Sequence, residues 1–170
     1  MPALLTIVCD LITRVAKVFV GTLVGAIVAI TLAAVWWRYV LNAPLAWPEQ
    51  VSRIMFVWIT FVGAAVLYRE RLHVAIDMFM MPLPRGGRRA AGWAIEVLIL
   101  VFNLVLLVYG MKLSVDNLGQ TFGALDITPA SFYFAAPVAA GMMMLYFLER
   151  IATPARRASI EVRAGAGSSV

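Results

Sequence analysis

VFVGTLVGAIVAITLAAVWW, residues 18–37, is the most informative segment of this sequence. Its twenty residues carry no charged side chain, and Lys17 and Arg38 flank them directly. At about 1.5 Å per residue, a helix of this length extends about 30 Å, the thickness of the hydrocarbon core of a bilayer. The segment therefore predicts a transmembrane helix.

The composition of the whole chain is that of an integral membrane protein. Of its 170 residues, 63% are hydrophobic and 14% are charged. A soluble domain is about 45–50% apolar and about 25% charged, and a globule of this size could not bury the excess. A soluble enzyme, a secreted module and a disordered chain are therefore excluded. The net charge of +5 is explained by membrane topology and anionic lipids, and no nucleic acid partner is expected.

The apolar segments predict an all-α integral membrane protein with four transmembrane helices. The spans are expected at residues 18–37, 48–68, 90–111 and 129–148, within a single membrane domain of residues 1–150. Residues 151–170 are expected to form a basic, disordered cytoplasmic tail. Segments 4–17 and 72–81 are too short to span, so both are candidates for short interfacial helices, the first turning into the first span. Pro137 is expected to weaken or kink the fourth span.

The distribution of Lys and Arg predicts the orientation. The two groups of loops that a four-span chain places on opposite sides differ strongly in positive charge, which predicts that both termini are cytoplasmic. The side of the termini and the middle loop holds eleven of the 14 basic residues: Arg14, Lys17, Arg69, Arg71, Arg85, Arg88, Arg89, Arg150, Arg156, Arg157 and Arg163. The other side holds Arg38, Arg53 and Lys112.

Glu96 and Asn103 are the candidate intramembrane polar residues. They lie seven positions apart in the third span and share a helix face. Glu96 could serve a proton or cation relay, or it could be a shallow carboxylate paired with an arginine such as Arg88 or Arg89. The second interpretation is favoured, because a relay needs several intramembrane ionisable groups.

The first span carries a stripe of small residues, Gly21, Gly25, Ala29 and Ala33, spaced by four. Small residues at this spacing allow another helix to approach closely. The packing partner could be a helix of this chain or of another protein.

The sequence predicts no catalytic residue, no metal ligands and no cofactor. His73 is the single histidine and Cys9 the single cysteine, so neither a bis-histidine haem nor a cysteine pair can form. A phosphate-binding glycine loop is absent. His73 is interpreted as a structural residue close to Asp77.

The loop RYVLNAPLAWPEQVSR, residues 38–53, has two interpretations. Arg38, Glu49 and Arg53 could bind lipid headgroups and form a local ion pair. Alternatively, a loop stiffened by Pro44 and Pro48 could recognise an external protein with little loss of conformational entropy.

Three segments together resemble the small membrane subunit (DctQ-like) of tripartite ATP-independent periplasmic (TRAP) transporters. They are RYVLNAPLAWPEQVSR (38–53), VWITFVGAAVLYRERLHVAID (57–77) and LDITPASFYFAAPVAAGMMM (125–144). The resemblance covers roughly residues 20–150. Its most specific positions are Arg38, Asn42, Trp47, Glu49, Gly63, Ala64, His73 and Asp77, and its looser ones are Leu125, Pro129, Tyr133 and Pro137.

The resemblance implies a non-catalytic subunit in the bacterial inner membrane. Such a subunit braces a large permease subunit, which holds the substrate and ion sites, and helps to dock a periplasmic substrate-binding protein that delivers an organic acid. A dicarboxylate or a sugar acid would be imported with an ion gradient. The candidate partner interface comprises Arg38, Asn42, Trp47, Glu49, Arg53, His73 and Asp77.

Two other functions remain open on the sequence. The chain could be a small channel or exporter that oligomerises through the Gly21/Gly25 face and uses Glu96 for coupling. A four-span membrane enzyme is less favoured, since one histidine and one cysteine provide no nucleophile–base pair or metal cluster.

Overall fold

The computed structural model of the protein describes residues 2–70, 85–121 and 126–152. Side chains are described from residue 4 onward, and those of residues 85–90 are left out. The helices in these ranges are α1 (Pro2–Tyr39), α2 (Trp47–Glu70), α3 (Arg85–Asp116), α4 (Ala130–Tyr133) and α5 (Ala135–Ala152). His73 and Asp77, the segment 72–81 and all of the tail beyond Ala152 lie outside the described residues.

Four stretches of the described chain are long and apolar enough to cross a membrane. They are Leu4–Tyr39, Trp47–Glu70, Ala91–Asp116 and Ala130–Ala152, the last comprising α4 and α5. The prediction of an all-α protein with four transmembrane helices is therefore confirmed. The chain is a multi-pass membrane protein.

Helices α2 and α5 form the centre of the bundle. Within the chain, 22% of the most apolar window of α2 and 28% of that of α4–α5 are buried, against 0% for α1 and 6% for α3. Helix α1 packs mainly on α2, and α3 packs mainly on α5. The core between α1, α2 and α5 uses small side chains, including Cys9, Ala65 and Ala139. Small side chains bring the helix backbones close together, which is how helices associate in lipid.

Helix α1 continues without a break from Pro2 to Tyr39. The expectation that residues 4–17 turn before the first span is therefore wrong. The physical reason is that Cys9, Thr13 and Ala16 are buried along one side of this segment, so tertiary packing keeps it in line with the span. The 36-residue stretch Leu4–Tyr39 extends about 54 Å, which exceeds the roughly 30 Å of hydrocarbon. A straight helix of this length either crosses obliquely or projects from the bilayer.

The fourth span is divided at Phe134, between α4 and α5. Pro137 has no N–H to donate to the Tyr133 carbonyl, and its ring crowds that carbonyl, so the regular helix is interrupted one turn earlier. The indole Nε1 of Trp58 donates to the Ser131 carbonyl at 2.9 Å. A side chain of α2 thus binds a backbone carbonyl of α4 three residues before the interruption. The weakening that was expected from Pro137 is therefore found at Phe134, three residues before the proline.

Gly110 lets α3 pass close to the same proline. A Cβ atom built on Gly110 would lie 3.0 Å from Pro137 Cδ and 3.6 Å from Ala136 Cβ. A Cβ built on Gly21 would meet nothing within 4 Å. Gly110 is therefore required by the approach of two helices, whereas Gly21 is not required by any described part of the chain.

We expect the substitution Gly110→Leu to lower the free energy of unfolding of the purified chain by about 1–3 kcal/mol, because the larger side chain overpacks the contact with Pro137. The matched control is Gly21→Leu, which should leave stability near that of the wild type. Thermal unfolding in detergent, followed by tryptophan fluorescence, measures both. Equal effects of the two substitutions would contradict the assigned α3–α5 contact.

Candidate functional site

Charged side chains gather at one end of the bundle, which we call the charged end. It contains the amino-terminal part of α1, the end of α2, the beginning of the described part of α3 and the end of α5. The residues that form ion pairs there are Asp10, Lys17, Arg69, Glu70, Glu96, Glu149 and Arg150. The opposite end, which we call the loop end, holds the α1–α2 loop and the α3–α4 connection.

Arg69 is the centre of the charged end. Its guanidinium donates Nε to Glu149 Oε2 at 3.0 Å and Nη2 to Glu149 Oε1 at 2.9 Å, a two-point contact. Nη2 also donates to Asp10 Oδ1 at 2.7 Å. Only 12% of the Arg69 side chain and 7% of the Glu149 side chain are exposed. Two-point arginine–carboxylate contacts are among the strongest hydrogen bonds in proteins, so Arg69 links α2 firmly to both α1 and α5.

Thr13 completes the coordination of Arg69. Its hydroxyl accepts a hydrogen bond from Arg69 Nη1 at 2.8 Å and donates to the Cys9 carbonyl at 2.8 Å. The Tyr146 hydroxyl lies 3.0 Å from the same Thr13 oxygen. The ring centroid of Tyr146 lies 5.3 Å from the guanidinium carbon of Arg69, close enough for a cation–π contact. The cation is therefore surrounded by oxygen acceptors and an aromatic face.

Two further ion pairs flank Arg69. Lys17 of α1 pairs with Glu70 of α2. On the other side, Arg150 of α5 pairs with Glu96 of α3, and the Tyr68 hydroxyl donates to Glu96 Oε2 at 3.2 Å. The charged end thus joins all four spans through polar contacts.

These contacts offset a large cost. Removing one partner of a buried ion pair costs about 3–5 kcal/mol, because the other charge is left buried and uncompensated. Within the described spans, the buried and half-buried ionisable side chains pair with one another. The arrangement holds the helices together.

Glu96 is paired with Arg150 of α5. The favoured interpretation named Arg88 or Arg89 as partners, and the side chains of these two residues lie outside the described part of the chain. Arg150 reaches Glu96 because α5 packs on α3, a tertiary relation that sequence spacing does not reveal. A carboxylate held by an arginine and a tyrosine is poorly suited to a relay.

Asn103 has a different environment from Glu96. It is 3% exposed, and its Nδ2 donates to the Ile99 carbonyl at 2.8 Å. Its Oδ1 has no hydrogen-bond partner among the residues that the structure describes. Leaving a buried acceptor unsatisfied costs about 1–3 kcal/mol.

Sequence reasoning missed most of the charged end. Asp10, Thr13 and Lys17 are spaced by three and four, so they share one face of α1, and this pattern was a usable signal. Arg69 and Arg150 were counted only as topological charges next to the spans. Their pairing with Glu149 and Glu96 depends on which helices are neighbours.

The loop-end candidates are all exposed. Arg38, Asn42, Trp47, Glu49 and Arg53 each present surface at this end of the bundle. Arg53 Nη2 donates to Glu49 Oε1 at 3.0 Å across one helical turn of α2. This contact is the local ion pair that one interpretation of the loop expected. The surrounding Trp36, Trp37 and Tyr39 are exposed as well, which suits the membrane interface.

Asn42 has a structural role in addition to its exposure. Its φ of 50° lies in the left-handed region, which asparagine tolerates better than most residues. This turn directs the N–H of Ala43 back to the Trp37 carbonyl at 3.1 Å. One of the carbonyls left free at the end of α1 is thereby satisfied.

The small-residue stripe of α1 faces away from the described helices. Gly21, Gly25, Ala29 and Ala33 are all exposed, and a Cβ on Gly21 or Gly25 would meet nothing within 4 Å. The stripe therefore does not mediate packing among the helices that the structure describes.

Comparison with known proteins identifies the family. The family model described as "Tripartite ATP-independent periplasmic transporters, DctQ component" matches residues 27–157, more than three quarters of the chain. The chain belongs to the DctQ component family. The suspected resemblance to TRAP small permease subunits is confirmed, and this DctQ component is a transporter subunit by family.

Named relatives agree with this assignment. The chain is 26% identical to the sialic acid TRAP transporter small permease protein SiaQ of Vibrio cholerae over 83% of this chain and 82% of SiaQ. It is 27% identical to the ectoine TRAP transporter small permease protein TeaB of Halomonas elongata over 76% of this chain and 65% of TeaB. It is also 29% identical to the sialic acid TRAP transporter permease protein SiaT of Haemophilus influenzae, over 76% of this chain but only 21% of SiaT. This DctQ component thus spans about a fifth of SiaT.

We expect Arg69→Leu to destabilise the purified chain by about 3–5 kcal/mol, because it leaves the buried Glu149 carboxylate without its cation. The control Arg53→Leu breaks an exposed one-turn pair and should cost only about 0.3–0.5 kcal/mol. Adding Glu149→Leu to Arg69→Leu should recover part of the loss, since it removes the unpaired charge. Denaturant unfolding in detergent measures all three. Similar small losses for Arg69→Leu and Arg53→Leu would contradict the central role of Arg69.

We expect Asn42→Val to lower the free energy of unfolding by about 1–2 kcal/mol, because a β-branched residue resists the left-handed backbone conformation. Asn42→Gly should be tolerated, since glycine adopts that conformation without strain. Thermal unfolding of the two variants distinguishes the backbone role from the loss of the amide. If valine and glycine destabilise equally, the amide group rather than the backbone conformation matters.

Proposed function

We propose that this chain is the non-catalytic small membrane subunit of a TRAP-type secondary transporter that imports an organic acid, such as a dicarboxylate or a sugar acid. In this role it braces a large permease subunit and helps to dock a periplasmic substrate-binding protein. It resides in the bacterial inner membrane with both termini in the cytoplasm. It performs no enzymatic reaction itself.

The charged end carries the bracing part of the proposal. A subunit that supports a moving permease must hold its own helices in fixed positions, and the contacts of Arg69, Lys17 and Glu96 connect all four spans. The carboxylates of Asp10, Glu70, Glu96 and Glu149 are each paired with a cation there, which suits support rather than conduction. The excess of Lys and Arg on the side of the termini favours the cytoplasm for this end.

The match to a small part of the much longer SiaT supports a large permease as the partner. A segment similar to this chain accounts for 21% of a protein that is itself named a permease. Joining two segments in one polypeptide gives them a high effective concentration, which favours contact between them. The corresponding contact here would form between separate chains in the membrane.

The loop end supports the docking part of the proposal. Arg38, Trp47, Glu49 and Arg53 lie exposed on the side opposite the charged end. The backbone of the α1–α2 loop is fixed by the turn at Asn42 and by Pro44 and Pro48, so little conformational entropy is lost on binding. Charged and aromatic side chains on a stiff surface suit recognition of a soluble protein. His73 and Asp77 are proposed to help fix the interfacial segment on the cytoplasmic side.

The experiment that tests this function asks what the chain assembles with and what it transports alone. We expect the affinity-tagged chain, purified from native membranes, to bring along a larger multi-span protein in a fixed ratio. Liposomes that contain the chain alone should show no uptake of succinate or sialic acid under a sodium gradient. Uptake by the chain alone, or purification as a self-contained oligomer, would overturn the proposal.

A separate binding measurement tests the docking part of the proposal. Arg38→Glu combined with Arg53→Glu should weaken binding of the periplasmic protein to the membrane complex without changing the amount of large subunit that copurifies. The control is Lys112→Glu, which changes an exposed charge outside the loop. Surface plasmon resonance on the immobilised complex measures the binding. Unchanged binding in the double variant would refute docking at the loop end.

A further inference from the structure

The acceptor oxygen of Asn103 is buried at mid-span. Asn103 lies twelve residues from the first residue and thirteen from the last residue of the span Ala91–Asp116. The distance to either end is therefore about 18–20 Å along the helix. The orientation of the amide is fixed, because its nitrogen donates to the Ile99 carbonyl, which can only accept. The atom without a partner among the described residues is thus the oxygen.

This side chain lines a narrow crevice between α3 and α5, to which α2 contributes Tyr68. The other lining residues are Tyr68, Ile99, Leu100, Met143, Met144 and Phe147. They are apolar apart from the Tyr68 hydroxyl, which already donates to Glu96. The crevice has no room for a water-sized group in this structure, so a group that reaches Asn103 must displace the methionine side chains, which are flexible. The crevice therefore combines a single acceptor with an adaptable apolar wall.

The position of the acceptor restricts its donor. Lipid headgroups carry donors only at the membrane surface, far from mid-span, and acyl chains carry none. A buried water makes about three hydrogen bonds, and this crevice offers it the Asn103 oxygen with little else. A neighbouring transmembrane helix can supply the donor from a polar side chain, and its apolar side chains can pack on the apolar wall of the crevice.

We propose that the crevice between α3 and α5 is a contact site for a transmembrane helix of the large permease subunit, which inserts a hydroxyl or amide side chain that donates to Asn103 Oδ1. The inference rests on the proposed function and adds the place of contact. The exposed surface of α3 beside the crevice, including Leu98, Phe102 and Tyr109, would lie against the same helix or against lipid.

The decisive variant is Asn103→Leu, which removes the acceptor and keeps an apolar side chain of similar size. In the complex with the large permease, it should weaken the affinity about 3- to 30-fold, the range expected for one interhelical hydrogen bond in a membrane. In the chain alone, it should leave stability unchanged or raise it, because a buried acceptor without a partner is removed. Titration of labelled chain with purified permease and thermal unfolding measure the two quantities.

Asn117→Leu is the matched control. Asn117 makes the same hydrogen bond to a carbonyl four residues earlier in α3, at 2.7 Å from Leu113, but at the exposed end of the helix. This variant should bind the permease like the wild type. Equal weakening by both substitutions, or no weakening by Asn103→Leu, would overturn the contact site. Loss of stability of the isolated Asn103→Leu chain would also overturn it, since the acceptor would then be satisfied within the chain.

A photo-crosslinker at Leu100 identifies the occupant. The adduct should map by mass spectrometry to a transmembrane helix of the large permease. An adduct with lipid or with a second copy of this chain would refute the proposed occupant. If the wild-type chain does not bind the large permease at all, the proposed function fails, whereas binding that is indifferent to Asn103 refutes the contact site alone.

Discussion

A buried arginine that must find acceptors explains much of this structure. Arg69 lies near the end of α2, where most of its side chain is removed from solvent, and its guanidinium needs acceptors that α2 itself does not supply. Glu149 and Asp10 come from α5 and α1, which therefore have to approach α2 with a defined register. Apolar contacts between membrane helices are weakly directional. The polar contacts of Arg69 provide the direction and the register that those contacts lack.

The two ends of the bundle differ in how their charges are used. At the charged end, cations and carboxylates from four spans pair with each other and leave little for a ligand. At the loop end, Arg38, Glu49 and Arg53 are exposed, and the ion pair formed by the last two stays within one helical turn of α2. One end therefore contributes internal cohesion, and the other offers surface to other molecules. This division suits a subunit of a larger transporter better than a solute pathway.

The described residues leave α1 and α3 incompletely covered. Helix α1 presents its small-residue stripe outward, and α3 presents large apolar side chains together with the crevice at Asn103. A buried amide with an unpartnered oxygen is more specific than apolar exposure, because lipid satisfies an apolar surface but supplies no donor at mid-span. Members of the DctQ component family are transporter subunits, so a contact with another membrane protein fits this feature.

The sequence by itself determined the membrane class, the four spans and the family resemblance, because each depends on local hydropathy or on residues that are contiguous in the chain. It also indicated the local pair of Glu49 and Arg53, four residues apart, and the disturbance caused by Pro137. Only the tertiary structure decided that α1 is continuous from Pro2, that Glu96 pairs with Arg150, and that Arg69 joins Asp10 to Glu149. These contacts connect residues up to 80 positions apart, and they form only because α2 and α5 pack at the centre of the bundle.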